Sequence, residues 1–115
     1  MQLSGQNINA ISPIFSLREK RRGEVISSLQ DDVNRLREAD PNLKFWLIGS
    51  YAVSNWDAYS DVDVVCVSNN KYFDVNFNTS NQYPMDVFSL TEEEFAKRLE
   101  GSYLFKKAIN TGVIL

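Results

Sequence analysis

Two short apolar segments joined by a polar stretch constrain the fold of this chain more than any other feature of its sequence. The first, "KFWLIG", ends at Gly49, and the second, "DVDVVCV", begins at Asp61. Both are rich in strand-forming residues, and runs of this length are typical of buried β-strands. The second run nevertheless opens with two carboxylates, Asp61 and Asp63, whose like charges repel each other, more strongly beside an apolar core. The sequence therefore predicts a core sheet that carries an acidic pair at the start of one strand.

A long helix is predicted before the first strand. Its apolar residues recur at three- and four-residue spacing and form one stripe, which consists of Val25, Leu29, Val33 and Leu36. The pattern Ser16-x-x-Glu19 has the form of a capping box and predicts a helix start near Ser16. Asp40-Pro41 predicts the end, because proline cannot continue a helix and restricts the residue before it. Residues 1–15 are expected to form a loosely ordered N-terminal segment.

The second half of the chain predicts further strands and two helices. The runs "YFDVNF" and "MDVFSL" are rich in strand formers, and we expect a β-hairpin in which "NTSNQ" joins them. Thr91-x-x-Glu94 is a second capping box and opens a helix, and a last amphipathic helix precedes the closing "TGVIL". The order of elements favours an α+β fold with a central sheet, in a single domain over residues 1–115.

The balance of ionisable residues excludes several classes of function. The chain has no histidine, which removes histidine-based acid–base catalysis, the usual serine and cysteine triads and most zinc sites. A formal net charge of −3 argues against a general nucleic-acid coat, because such proteins are usually basic. Carboxylates are the main catalytic resource that remains, together with metals that prefer oxygen ligands.

Basic residues do cluster at one place in the sequence. Four of them fall within five positions, namely Arg18, Lys20, Arg21 and Arg22. We interpret this cluster as a solvated face of the first helix. The alternative is a docking patch for an acidic partner or RNA.

Nothing in the sequence predicts a membrane or secreted protein. No run approaches about 18 consecutive apolar residues, and the N-terminus lacks the charged start and apolar run of a secretory signal. The single cysteine, Cys66, lies in an apolar strand and favours a buried free thiol in a reducing compartment. We therefore expect a cytoplasmic protein.

The acidic pair predicts a metal site. Side chains alternate along a strand, so Asp61 and Asp63 point the same way, with Cα atoms roughly 6.5–7 Å apart. A divalent cation turns such a repelling pair into ligands, and Mg²⁺ prefers oxygen donors in a shell that keeps room for phosphate oxygens. The alternative is an exposed strand face on which both aspartates are simply solvated.

Gly49-Ser50 predicts an anion site next to the acidic pair. A glycine at the end of a buried strand lets the backbone approach a ligand closely. If residues 50–54 begin a helical turn, its N–H groups and dipole favour an anion, and the Ser50 hydroxyl adds a donor. A phosphate-binding turn beside a carboxylate pair is typical of a nucleoside triphosphate site. Taken alone, Gly49-Ser50 favours an ordinary strand-to-turn junction.

The string "IGSYAVSNWDAYSDVDVV" resembles the signature of the DNA polymerase β-type nucleotidyltransferase superfamily. That signature is an apolar residue, Gly-Ser, a spacer and then Asp-x-Asp on a strand. In size and layout the chain is most similar to the minimal nucleotidyltransferases of bacteria and archaea. The resemblance extends more loosely from the helix before Lys44 to the closing "FKKAINTGVIL", and it implies a small fold with a central mixed β-sheet flanked by helices.

The resemblance also implies a set of site residues. In that family a third carboxylate on a neighbouring strand completes the metal site, and the best match is Asp86 in "YPMDVFSL", with Asp74 as the competitor. Two Mg²⁺ ions would then be held by Asp61, Asp63 and Asp86. The nucleoside triphosphate, with ATP favoured, would be bound by small residues: Gly49, Ser50 and Ser60.

The chain departs from the family pattern after Gly-Ser. Many members carry an arginine and a glycine where this chain has Val53 and Ser54, which puts triphosphate binding in doubt. Three aromatic residues, Tyr51, Trp56 and Tyr59, lie in the same stretch and are candidates to stack on a base. The favoured interpretation is that they pack over the sheet or face a partner.

The resemblance implies that the chain would transfer a nucleoside monophosphate, with AMP favoured, from a nucleoside triphosphate to an acceptor hydroxyl. Minimal nucleotidyltransferases are commonly encoded beside an all-helical HEPN protein, often as antitoxin and toxin. The partner protein would then be the acceptor. Nucleic acid is not expected as a partner, and the sequence is compatible with a homo-oligomer. The alternative function is a catalytically inactive nucleotide-binding or protein-interaction module of the same fold.

Overall fold

The structure, a computed structural model, describes residues 13–53, 61–69 and 75–115. The first half contains helix α1 (Pro13–Ala39) and strands β1 (Lys44–Ile48) and β2 (Val62–Val67). The second half contains a 3₁₀ helix (Asn78–Asn81), β3 (Met85–Leu90), α2 (Glu92–Gly101), α3 (Tyr103–Thr111) and β4 (Val113–Ile114). The predicted α+β class is confirmed. None of the helices in these ranges is both long and apolar enough to cross a membrane.

Within the described ranges, four strands form one mixed sheet in the order β3-β2-β1-β4. Strand β1 pairs antiparallel with β2 and β4, whereas β2 and β3 run parallel. Strand β2 is central and covered on both faces, which agrees with its near-continuous apolar sequence. Its exception is Asp63, which is half-buried.

Helices cover both faces of the sheet. The stripe predicted on α1 is confirmed, since all four of its residues are buried against one face, beside Phe45, Leu47, Val62 and Val64. On the other face, α2 and α3 pack through Phe95 and Phe105 onto the buried cluster of Val65, Val67 and Leu90. The rings of Trp46 and Phe95 stack with centroids 5.0 Å apart. The sheet is therefore the middle layer of the fold, and the ends of its strands form the edge at which a site can lie.

The predicted start of α1 is wrong by three residues. The helix begins at Pro13, so Ser16 lies inside its first turns and Ser16-x-x-Glu19 does not mark the boundary. Proline is well tolerated there, because the first N–H groups of a helix have no intrahelical partner to lose. Residues 13–15 are thus helical instead of loosely ordered, and residues 1–12 lie outside the described residues. The predicted end before Pro41 is confirmed, as is the capping box of Thr91 and Glu94.

The predicted hairpin between "YFDVNF" and "MDVFSL" is also wrong over the part of it that the structure describes. Strand β3 lies parallel to β2, residues 75–77 form no strand, and "NTSN" forms a 3₁₀ helix. The cause is the buried Asp32 on α1, whose carboxylate accepts hydrogen bonds from the N–H groups of Asn78 and Thr79 and from the Thr79 hydroxyl. These hydrogen bonds hold the segment that was predicted to be the hairpin loop against α1, as a 3₁₀ helix. Residues 70–74 lie outside the described residues.

Candidate active site

Three chain segments meet at one edge of the sheet, where β1 ends and β2 and β3 begin. The antiparallel register places Ile48 beside Asp63, and the parallel register pairs Asp63 with Asp86. Paired residues on neighbouring strands lie about 4.8 Å apart and face the same side of a sheet. Asp86 is thus the acid that the fold places next to Asp63. Its competitor, Asp74, lies outside the described residues.

The electrostatics of this edge follow from crowded negative charge. Asp63 is half-buried, whereas Asp61 and Asp86 are exposed. Burial raises the pKa of Asp63, and the charges of Asp86 and then Asp61 raise it further. Both exposed carboxylates therefore act on Asp63, and a cation at this edge would relieve the repulsion.

The carboxylates do not form a finished metal centre. No group of three or more acidic or cysteine side chains in the described ranges has an arrangement that could hold a metal ion. The donors are nevertheless all carboxylate oxygens, which suit Mg²⁺ better than softer metals.

The turn after β1 lies directly against Asp63. Gly49 has a φ of 75°, in the left-handed region that favours glycine. A Cβ atom at this position would lie 2.8 Å from Oδ2 of Asp63, so only a glycine lets the backbone and the carboxylate approach this closely. The Gly49 carbonyl accepts hydrogen bonds from the N–H groups of Ala52 (3.1 Å) and Val53 (3.3 Å). The chain thus winds into a single helical turn headed by Ser50.

The side chain of Arg22, which was predicted to be solvated, holds this turn in place. Arg22 is half-buried, and its guanidinium donates from Nε to the Tyr51 carbonyl (2.6 Å) and from Nη2 to the Ala52 carbonyl (3.0 Å). The interpretation of the basic cluster as a solvated helix face is therefore wrong for Arg22. It is wrong also for half-buried Arg21, which lies over the Tyr83 ring at 5.2 Å.

The signal for Arg22 was present in the sequence. Arg22 precedes Val25 by three residues and so continues the apolar stripe of α1 toward its start. A charged residue on a buried helix face needs a partner, and here the turn carbonyls provide it.

The other residues that the sequence singled out lie in different environments. Tyr51 is 1% exposed and belongs to the core, so it cannot stack on a base, whereas Val53 is exposed. Cys66 is buried, as predicted, and burial raises the pKa of its thiol to about 11, which makes it a poor nucleophile at neutral pH. The remaining candidates lie outside the described residues, namely Ser54, Trp56, Tyr59 and Ser60.

Comparisons with known proteins agree with this architecture. A crystal structure of a predicted nucleotidyltransferase from Sulfolobus solfataricus matches with a TM-score of 0.55 at 18% identity, over 84% of each chain. At this identity the likeness concerns the fold. A comparison with curated proteins gives no match. The sequence model of the nucleotidyltransferase domain, however, matches residues 26–109, a range that contains the turn after β1 and all three carboxylates of the edge. With most of its length covered by that match, the chain belongs to the nucleotidyltransferase domain family.

Proposed function

We propose that this protein transfers a nucleoside monophosphate from a nucleoside triphosphate to an acceptor hydroxyl in a Mg²⁺-dependent reaction. The observation that carries the proposal is the position of Asp63. Its carboxylate is paired in register with Asp86 and lies against the backbone of Gly49. Acidic residues and the turn that we propose for phosphate therefore lie together at this edge of the sheet.

The acidic residues bind metal in this proposal. Asp61 and Asp63 would hold a Mg²⁺ that accompanies the triphosphate, and Asp61, Asp63 and Asp86 together would hold a second ion. When bound, the metal ions neutralise phosphate charge and lower the pKa of the acceptor hydroxyl. The raised pKa of Asp63, caused by burial and by its acidic neighbours, supports this role, because the same crowding favours a cation over two bare carboxylates. In an alternative role, Asp86 takes the acceptor proton as general base.

The turn after β1 binds the leaving group. Gly49 and Ser50 provide N–H groups and a hydroxyl for the β- and γ-phosphates, and Ser60 remains a further candidate. The acceptor oxygen forms a bond to the α-phosphorus while the bond from that phosphorus to the pyrophosphate oxygen breaks. The chain contributes orientation and charge compensation to this step, with no covalent intermediate.

A pair of matched variants tests the proposal. Asp63→Asn removes one charge at the edge, while Asp31→Asn makes the same chemical change at an exposed position of α1. Titration calorimetry with Mg²⁺ and each nucleoside triphosphate measures binding without any acceptor. We expect Asp63→Asn to lose Mg²⁺-dependent binding and the control to retain it. Equal, Mg²⁺-dependent binding by both variants would contradict the proposed role of Asp63.

We propose further that the chain is a minimal nucleotidyltransferase in a cytoplasmic toxin–antitoxin pair, with ATP as the donor and a HEPN-type protein as the acceptor. This proposal is supported by the resemblance of the Gly-Ser and Asp-x-Asp segment to that family. Co-expression with a HEPN protein encoded beside this gene tests it. We expect intact-mass spectrometry to find the partner heavier by one or more AMP units with the wild-type protein and unmodified with Asp63→Asn. An unmodified partner in both cases would refute this assignment.

A second candidate function is a nucleotide-binding module without transferase activity. It is favoured by Val53, an exposed apolar side chain where many relatives carry a cationic one. The two functions differ in one measurement, because a module binds the nucleoside triphosphate with Mg²⁺ but releases no pyrophosphate in the presence of an acceptor.

A further inference from the structure

We infer that Arg22 is a positioning residue of the nucleotide site, which holds the turn after β1 in its phosphate-binding shape and places a fixed positive charge behind it. This inference rests on the proposed function. Arg22 lies outside the Gly-Ser and Asp-x-Asp segment and is 29 residues from Tyr51 in sequence. It acts through the backbone of the turn and does not touch the substrate.

The hydrogen bonds of the turn fix two consecutive peptide units at both ends. The Tyr51 carbonyl and the Ala52 N–H belong to one peptide unit, and the Ala52 carbonyl and the Val53 N–H belong to the next. Both N–H groups donate to the Gly49 carbonyl, and both carbonyls accept from Arg22. Neither unit can rotate without breaking a hydrogen bond at each end. The orientation of the turn is therefore set jointly by Gly49 and Arg22.

Arginine suits this position better than lysine. Its planar fork places two donors at a fixed separation, which matches two successive carbonyl groups, and it stays charged at all relevant pH values. The side chain leaves α1 one turn before the buried Val25 and is itself half-buried. Little conformational entropy is then lost when a ligand binds to the turn.

The charge of Arg22 also bears on anion binding. A triphosphate that approaches this edge meets the negative charges of Asp61, Asp63 and Asp86. Position 53 adds no cation, since it is valine. Hydrogen bonds from a guanidinium to the turn carbonyls polarise the same peptide units and bring positive charge behind the turn. Arg22 thus offsets part of the repulsion from a position that solvent screens less than an exposed side chain.

The same helix offers a matched control at its other end. Arg37 makes an equivalent pair of hydrogen bonds, from Nε to the Leu43 carbonyl (3.1 Å) and from Nη2 to the Leu115 carbonyl (2.9 Å). It lies 15 residues along α1 from Arg22 and thus about 22 Å away along the axis. Arg22→Gln and Arg37→Gln remove the same kind of contact, but only the first affects the turn.

Calorimetry separates the phosphate role from general destabilisation. With Mg²⁺ present, we expect Arg22→Gln to bind the nucleoside triphosphate about tenfold more weakly than wild type, in line with the loss of charge-assisted hydrogen bonds. We expect Arg22→Lys to recover part of this loss and Arg37→Gln to bind like wild type. Affinity for the nucleoside monophosphate, which lacks the β- and γ-phosphates, should be the same in all four proteins. Wild-type triphosphate affinity in Arg22→Gln would overturn the inference.

A second measurement makes failure of this inference distinguishable from failure of the proposed function. Amide hydrogen exchange at Ala52 and Val53 reports on the turn without any ligand, and it should accelerate in Arg22→Gln but not in Arg37→Gln. If the exchange rates do not change, Arg22 does not hold the turn and the inference fails. If exchange accelerates but the wild-type protein binds no nucleoside triphosphate, the proposed function fails while the structural role of Arg22 stands.

Discussion

Replacing Asp63 by asparagine should stabilise the metal-free protein, although most substitutions destabilise a fold. The variant keeps the size and shape of the side chain and removes a charge that burial disfavours and that Asp86 and Asp61 also oppose. A stabilising effect at a half-buried strand position would show directly that the acidic edge is built for a ligand and not for stability. The same change should abolish binding of Mg²⁺ and the nucleoside triphosphate. The variant would then be more stable than the metal-free wild type but unable to bind its substrate.

The magnitude follows from the register of the sheet. Asp63 and Asp86 are paired on neighbouring parallel strands, which lie about 4.8 Å apart. Two unit charges about 5 Å apart repel by about 0.8 kcal/mol in water and about 3 kcal/mol at an effective dielectric constant of about 20. Because Asp86 is exposed, we expect the lower part of this range, about 1 kcal/mol. For a domain of this size that corresponds to a rise in Tm of about 4 °C.

Thermal unfolding in a chelating buffer, as a function of pH, is the assay. The pKa of Asp63 is raised in the folded state, so ionising this group costs stability as the pH rises through that pKa. The advantage of Asp63→Asn should thus be present at neutral pH and should shrink as the pH falls and Asp63 becomes protonated. Added Mg²⁺ should raise the Tm of wild type only. A lower Tm for the variant at neutral pH in chelator would refute the reasoning.

Three further predictions concern single residues. Gly49→Ala should lower the free energy of unfolding by about 1–2 kcal/mol, because the positive φ disfavours a Cβ. It should also weaken nucleotide binding, since the new Cβ displaces the Asp63 carboxylate. Unchanged binding by calorimetry would argue against the proposed role of the turn. Burial raises the pKa of Asp32, but hydrogen bonds led by that of Thr79 outweigh it and hold the pKa below 3.8. Its contribution to stability is thus full above that value and lost as the pH falls through the lowered pKa, so denaturant titrations should find this acid sensitivity reduced in Asp32→Asn. Thr91→Ala should cost about 1 kcal/mol by loss of the N-cap of α2, and an unchanged denaturation midpoint would contradict that estimate.

The sequence by itself determined the elements whose signals are short in range. The spacing of Val25, Leu29 and Val33 predicts the buried stripe of α1, and Thr91 with Glu94 predicts the start of α2, because both depend on the 3.6-residue helical period. The acidic pair and Gly49 were likewise evident as unusual residues at strand ends. These patterns depend on neighbours in the chain and need no knowledge of the fold.

Only the tertiary structure decided which distant segments meet. The sequence left Asp86 and Asp74 as competitors, and the parallel pairing of β3 with β2 places Asp86 beside Asp63. The N–H group of Thr79, a residue that the sequence placed in a hairpin loop, instead donates to Asp32 on α1, 47 residues away. The physical reason is that strand pairing and hydrogen bonds between distant segments depend on how the helices and sheet dock. Local propensity specifies the elements but leaves their partners open.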